Sequence, residues 1–191
     1  PAVTDAGPYT FRLCPSDLAH GSALARWARE RLGLTRGAVF YTNSEYGRGI
    51  RTAFEAEFAS LDGAVVGSFP YLGDTPDVGP YVDLLSRDKR AQFMLIAGYD
   101  PDARTILTEA RKKNLTIPAM GGDGLEQIAL SGPVAEGTYV TSSYFSQTAT
   151  PANQRFVSAY TARFPTAGEP NGSGAAAYDA VYMLQETMQR V

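Results

Sequence analysis

The chain has 191 residues, enough for one domain with a full core, or for one domain and part of another. Hydrophobic residues make up 44% of it and charged residues 19%, which excludes disorder as the main state. Its 17 Lys and Arg stand against 20 Asp and Glu, a net charge of −3, so no basic surface recruits a phosphate backbone and nucleic acid is excluded as a partner.

The longest apolar run, Phe93 to Ala97, is far too short to cross a bilayer, so no membrane insertion is expected. No signal-peptide pattern opens the chain at Pro1, which leaves a cytoplasmic protein or one whose export signal has been removed. Cys14 and His20 are the only residues of their kinds. They exclude a disulfide scaffold, a thiolate metal cluster and a two-histidine zinc site, and no metal or cofactor is expected.

Tyr9 to Arg12 reads as the first strand. Ser16 or Asp17 then caps a helix with Leu24, Trp27, Ala28 and Leu32 on one face, stopped by Gly33. Gly37 to Tyr41 reads as a buried strand, and the loop from Thr42 to Glu45 leads into a helix with Ile50, Phe54, Phe58 and Leu61 inward. Ala64 to Phe69 is the next strand, Pro70 to Pro80 a loop, and Tyr81 to Leu85 a short helix. The most apolar strand, Gln92 to Ala97, precedes a helix with Pro101 in its first turn and Ile106, Leu107 and Ala110 inward. Ile117 to Met120 is a strand entering Gly121 to Gly124. A short helix over Leu125 to Leu130 and a strand at Thr138 to Thr141 follow.

This alternation predicts βαβ units, an α/β fold and a mainly parallel sheet covered on both faces. The pattern changes near residue 144. A helix from Pro151 places Phe156, Val157, Tyr160 and Phe164 on one side. A final helix from Ala175 to Arg190 places Tyr178, Val181, and Leu184 or Met188 inward. No strand separates these two helices, so they cover a sheet made elsewhere.

In open parallel sheets, ligands sit outside the carboxyl ends of the strands. The three loops there carry Tyr46, Tyr99 and Asp123. Asp123 lies between Gly122 and Gly124, which permit positive φ and close backbone approach. Its carboxylate either holds an ammonium group or caps the helix that starts at Leu125. Tyr46 and Tyr99 either pack on a ligand or cover their own loops. His20 reads as a surface or capping residue, Cys14 as a small packed side chain, and Asp74, Asp77, Asp100 and Asp102 as solvated turn residues. Enzyme chemistry on such a sheet needs a phosphate-binding glycine loop or an acid–base pair, and the sequence offers neither.

Several segments, in order, resemble the type I periplasmic binding proteins of branched-chain amino-acid ABC transporters. They are Phe11-Arg12 with Pro15-Ser16-Asp17, Asn43 to Gly49, Gly73 to Asp77, Ala97 to Pro101, Gly121 to Leu125, Glu136 to Thr141, Thr150 to Asn153 with Phe156 and Tyr160, and Ala177 to Ala180. The resemblance implies two three-layer αβα lobes joined by crossing strands, with ligand in the cleft between them and no covalent chemistry. Residues 1–13 then end the first lobe and form a crossing strand, 14–143 form most of the second lobe, and 144–191 return to an incomplete first lobe. The missing part of that lobe, or another chain, would cover 144–191.

By the same resemblance, Tyr46, Tyr99 and Asp123 are ligand-binding, with Asp123 pairing with the ligand's ammonium. Some relatives carry glutamate there, and the shorter aspartate bears on ligand size. The implied partners are an amino-acid ligand and an ABC transporter permease. The implied location is periplasmic or extracellular, a lipid-anchored form included. A ligand-sensing receptor domain of the same fold is the alternative.

Overall fold

The computed structural model describes residues 6–73 and 77–190. Asp74, Thr75 and Pro76 of the expected loop lie outside the described residues, as do residues 1–5 and Val191. Among the described residues, the chain divides into two compact units: residues 16–141, and residues 6–15 together with 142–190.

The first unit is an α/β domain built on one five-stranded parallel sheet. Its elements are α1 (Asp17–Arg26), β1 (Arg36–Thr42), α2 (Glu45–Ser60), β2 (Ala64–Tyr71), α3 (Gly79–Arg87), β3 (Phe93–Ala97), α4 (Asp100–Lys112), β4 (Ala119–Gly121) and β5 (Thr138–Val140). The strand order is β2-β1-β3-β4-β5. The chain therefore leaves β1 towards one edge of the sheet and returns at β3 on the other side of β1. That reversal opens a crevice outside the carboxyl ends of β1 and β3.

The alternation of side chains along the strands divides the core. Val39 and Tyr41 of β1, with Phe93, Leu95 and Ala97 of β3, pack under α1 and α2 against Leu24, Ala28, Ile50, Phe54 and Phe58. Ala38, Phe40, Met94 and Ile96 point the other way, against Val82, Leu85, Ala103, Ile106 and Leu107 of α3 and α4. Both faces of the sheet are thus dry, which is why β1 and β3 read as continuous apolar runs. Helix starts follow their caps: the side chains of Ser16 and Ser44 accept from the backbone N–H of Ala19 and Gly47.

Some expectations fail in this unit. β2 runs through Pro70 to Tyr71, paired with β1. The lost N–H of Pro70 is tolerated because β2 is an edge strand. No single helix follows Gly124. Two 3₁₀ segments, Asp123–Leu125 and Ile128–Ala135, replace it, the second broken at Gly132 with φ of 67°. Trp27 is not inward. A π-turn over Trp27–Arg31 follows α1, and the indole lies half-exposed with its centroid 6.1 Å from that of Tyr139 on β5.

In the second unit, α5 (Pro151–Arg163) and α6 (Gly172–Gln189) pack around Phe156, whose ring contacts those of Tyr144, Tyr160 and Tyr178. The expected strand at Tyr9–Arg12 does not form, because these residues have no ladder partner; Tyr9 and Phe11 are exposed and Cys14 is exposed rather than packed. The expected inward residues Phe164, Val181, Leu184 and Met188 are exposed too, since the described residues of the unit form no sheet for them to cover.

Candidate functional site

Tyr46, Tyr99 and Asp123 come from the ends of β1, β3 and β4 and meet at the crevice. The rings of Tyr46 and Tyr99 stack with centroids 5.1 Å apart and planes 20° from parallel. The Tyr46 hydroxyl donates to Asp123 Oδ1 over 2.9 Å and accepts from the backbone N–H of Gly124, also over 2.9 Å. The helix start places Tyr46 here. Ser44 caps α2, and Gly47 lets the first turn rest directly on the strand ends, where a Cβ would overlap the Thr42 carbonyl.

Gly122 and Gly124 serve the site by close approach, not by positive φ, which neither adopts. A Cβ on Gly124 would lie 2.7 Å from the Tyr46 hydroxyl oxygen, and one on Gly122 at 3.0 Å. Bulkier residues would push the tyrosine off the carboxylate.

Burial first, and then the Asp123 carboxylate, push the Tyr46 phenol far above its ordinary range, so its O–H stays a donor. The phenol of Tyr99 is raised for the same reasons, with Asp102 and Asp17 adding to them. Asp123 keeps a side chain 39% exposed, open to an incoming charged group. A carboxylate fixed by one neutral donor, with aromatic faces beside it, suits a small cation bearing an apolar body. Among the described residues, no group of three or more His, Cys, Asp or Glu is placed to hold a metal ion.

Two residues read as bland in sequence support the site. Asp102 is buried in the first turn of α4, not in a solvated loop. It accepts from the Tyr71 hydroxyl at 3.3 Å and from the Tyr99 backbone N–H at 3.2 Å, which fixes the chain where Tyr99 leaves β3. Burial, and then Asp102, raise the Tyr71 phenol well above its usual range. His20 is buried at the floor of the site, not on the surface. Its Nδ1 lies 2.8 Å from Thr141 Oγ1 and its Nε2 lies 3.6 Å from Asp123 Oδ2. The spacing of His20 with Leu24 and Ala28, four residues each, was the available signal.

The sequence profile of the Periplasmic binding protein family matches residues 2–191. The Leu/Ile/Val-binding protein of Escherichia coli K12 is 29% identical over 153 residues, covering 77% of this chain and 40% of that protein. A leucine-binding protein from Thermotoga maritima superposes with a TM-score of 0.81 at 27% identity, over 91% of this chain and 50% of its own. An ABC transporter substrate-binding protein from Desulfitobacterium hafniense, solved with Leu, gives 0.81 at 28% identity, over 100% of this chain and 55% of its own. The chain thus spans about half the length of the proteins it matches. These are binding proteins, not enzymes.

Proposed function

Because the chain belongs to the periplasmic binding protein family, we propose that it forms most of one lobe of an ABC-transporter solute-binding protein and grips an amino acid through Tyr46, Tyr99 and Asp123. Residues 14–143 are that second lobe. Residues 1–13 and 144–191 belong to the first lobe, whose remainder, or another chain, covers the exposed helices. The ligand is a branched-chain amino acid or a related amine or amide. Leucine, isoleucine and valine, named for the relatives, each join an ammonium to a short apolar body.

The observation that carries this reading is the convergence of three strand ends on one carboxylate held by a tyrosine hydroxyl. Asp123 pairs with the ligand's ammonium, and the two rings cover its aliphatic part. A ligand touching both lobes stabilises the closed arrangement, and a membrane permease reads that arrangement. No bond is made or broken. The protein works in the periplasm or at the cell exterior.

Calorimetry on the full-length protein tests the reading with leucine and its 2-hydroxy analogue, which keeps the carboxylate and the side chain but lacks the ammonium. The analogue is expected to bind at least about a hundredfold more weakly, as loss of a buried charge partner does. Equal affinities would remove Asp123 from its role.

A further inference from the structure

His20 has no part in the reading above, yet its ring is only 5% exposed and reaches the site. Nδ1 is within hydrogen-bond distance of Thr141 Oγ1. Among the described residues, Nε2 has no hydrogen-bond partner. A buried ring nitrogen without a partner is costly, so the group it faces matters. That group is Asp123, whose Oδ2 lies 3.6 Å away.

We propose that His20 is a positioning residue for Asp123: its Nε2 steers the free carboxylate oxygen, and its protonation state sets the charge shown to a ligand ammonium. The consequence for binding rests on the amino-acid reading of the site; the pairing of the two side chains does not. A carboxylate facing Nε2 favours the tautomer with the proton there, leaving Nδ1 to accept from the Thr141 hydroxyl. When the ring gains its second proton, the same hydroxyl rotates and accepts from Nδ1. Both protonation states therefore fit without moving a heavy atom.

Among the described residues, the other titratable groups placed near His20 are Asp17, three residues earlier on its own helix, and Tyr46, whose hydroxyl borders Gly122 as the His20 Cβ does; Tyr99 stacks on Tyr46. The tyrosines are held neutral by burial. Of the α2 arginines, Arg48 bonds to Asn43 and Arg51 to Tyr41. Asp123 is then the group whose charge an imidazolium would offset first. A ligand ammonium and the second proton on His20 compete for one carboxylate, so each weakens the other.

Two measurements on the full-length protein test this. The first follows the His20 ring resonance by NMR through a pH titration without ligand, identified by its loss in His20→Gln. In Asp123→Asn the midpoint should fall to lower pH; an unchanged midpoint overturns the pairing, whatever the protein binds. The second is leucine calorimetry at about pH 7.5 and about pH 5.5. Wild type should bind about tenfold more weakly at the lower pH, and His20→Gln should lose most of that difference. The same pH difference in His20→Gln overturns the proposed control of affinity. A midpoint shift with no leucine bound at either pH counts against the amino-acid reading and leaves the pairing standing.

Discussion

The hydroxyl of Tyr46 and the carboxylate of Asp123 meet at 2.9 Å across 77 positions of sequence. The same hydroxyl takes the Gly124 N–H, so one side chain bridges the start of α2 and the turn after β4. The carboxylate is therefore oriented by the fold itself, which would lower the ordering cost of binding a cation there.

Tyr46→Phe keeps the ring stack and removes only that bridge. It leaves the Gly124 N–H without its acceptor, so a loss of about 1–3 kcal/mol of stability is expected. Urea unfolding should show a lower midpoint with an unchanged slope. Leucine affinity should fall as well, by about tenfold. A variant as stable as wild type would show that the bridge is solvated and idle.

Asp123→Asn separates charge from shape. The amide oxygen can still accept from Tyr46, but the carboxylate oxygen that faces buried His20 Nε2 is lost, so stability should fall by about 1 kcal/mol. Leucine binding should weaken by at least about a hundredfold, because an ammonium enclosed without a counter-charge is strongly disfavoured. Calorimetry alongside thermal unfolding distinguishes this from a folding defect.

The strands were legible where burial on both faces forced apolar runs, as in Phe93 to Ala97, and the three strand-end residues could be named because a parallel sheet gathers such ends. What was hidden depends on tertiary placement. Tyr9 to Arg12 has strand-like residues, but a strand exists only beside another. His20 sits on the same helical stripe as Leu24 and Ala28, but that spacing marks only a buried face, not which group the ring meets there. Asp102 looked like a loop acid because nothing local reveals that the Tyr71 hydroxyl comes to it from β2.

Gly47→Ala tests whether helix seating controls the site. The added Cβ would overlap the Thr42 carbonyl oxygen and lie 2.9 Å from that of Ala97, both rigid backbone at the strand ends. Alanine's better helix propensity recovers up to about 1 kcal/mol, so a net destabilisation of about 1–2 kcal/mol is expected. The start of α2 must lift, and Tyr46 with it. Leucine affinity should fall more than the stability loss alone would produce; unchanged binding would mean that Tyr46 is placed by other contacts.

Asp102→Ala leaves two donors without their acceptor, the Tyr71 hydroxyl and the Tyr99 N–H. The residue is buried, so the expected cost is about 2–4 kcal/mol, read as a lower denaturation midpoint. Hydrogen exchange should quicken at the first turn of α4 more than at its last, since the lost acceptor served only the start of the helix. Uniform quickening along α4 would instead indicate global destabilisation.

On α6, Val181, Leu184 and Met188 are 63%, 65% and 78% exposed and recur at three- and four-residue spacing, so they form one stripe. Scattered apolar residues on a surface are ordinary, but an aligned stripe marks a contact face. Replacing Leu184 and Met188 together with lysine should then act with opposite signs in two settings. In the 191-residue chain alone the pair should reduce self-association, measured by sedimentation, because the face is bare there. In the full-length protein it should destabilise by about 2–4 kcal/mol, because each lysine displaces apolar burial worth about 1.5–3 kcal/mol and only part of that is recovered by snorkelling. Equal, negligible effects in both settings would mean that nothing covers α6.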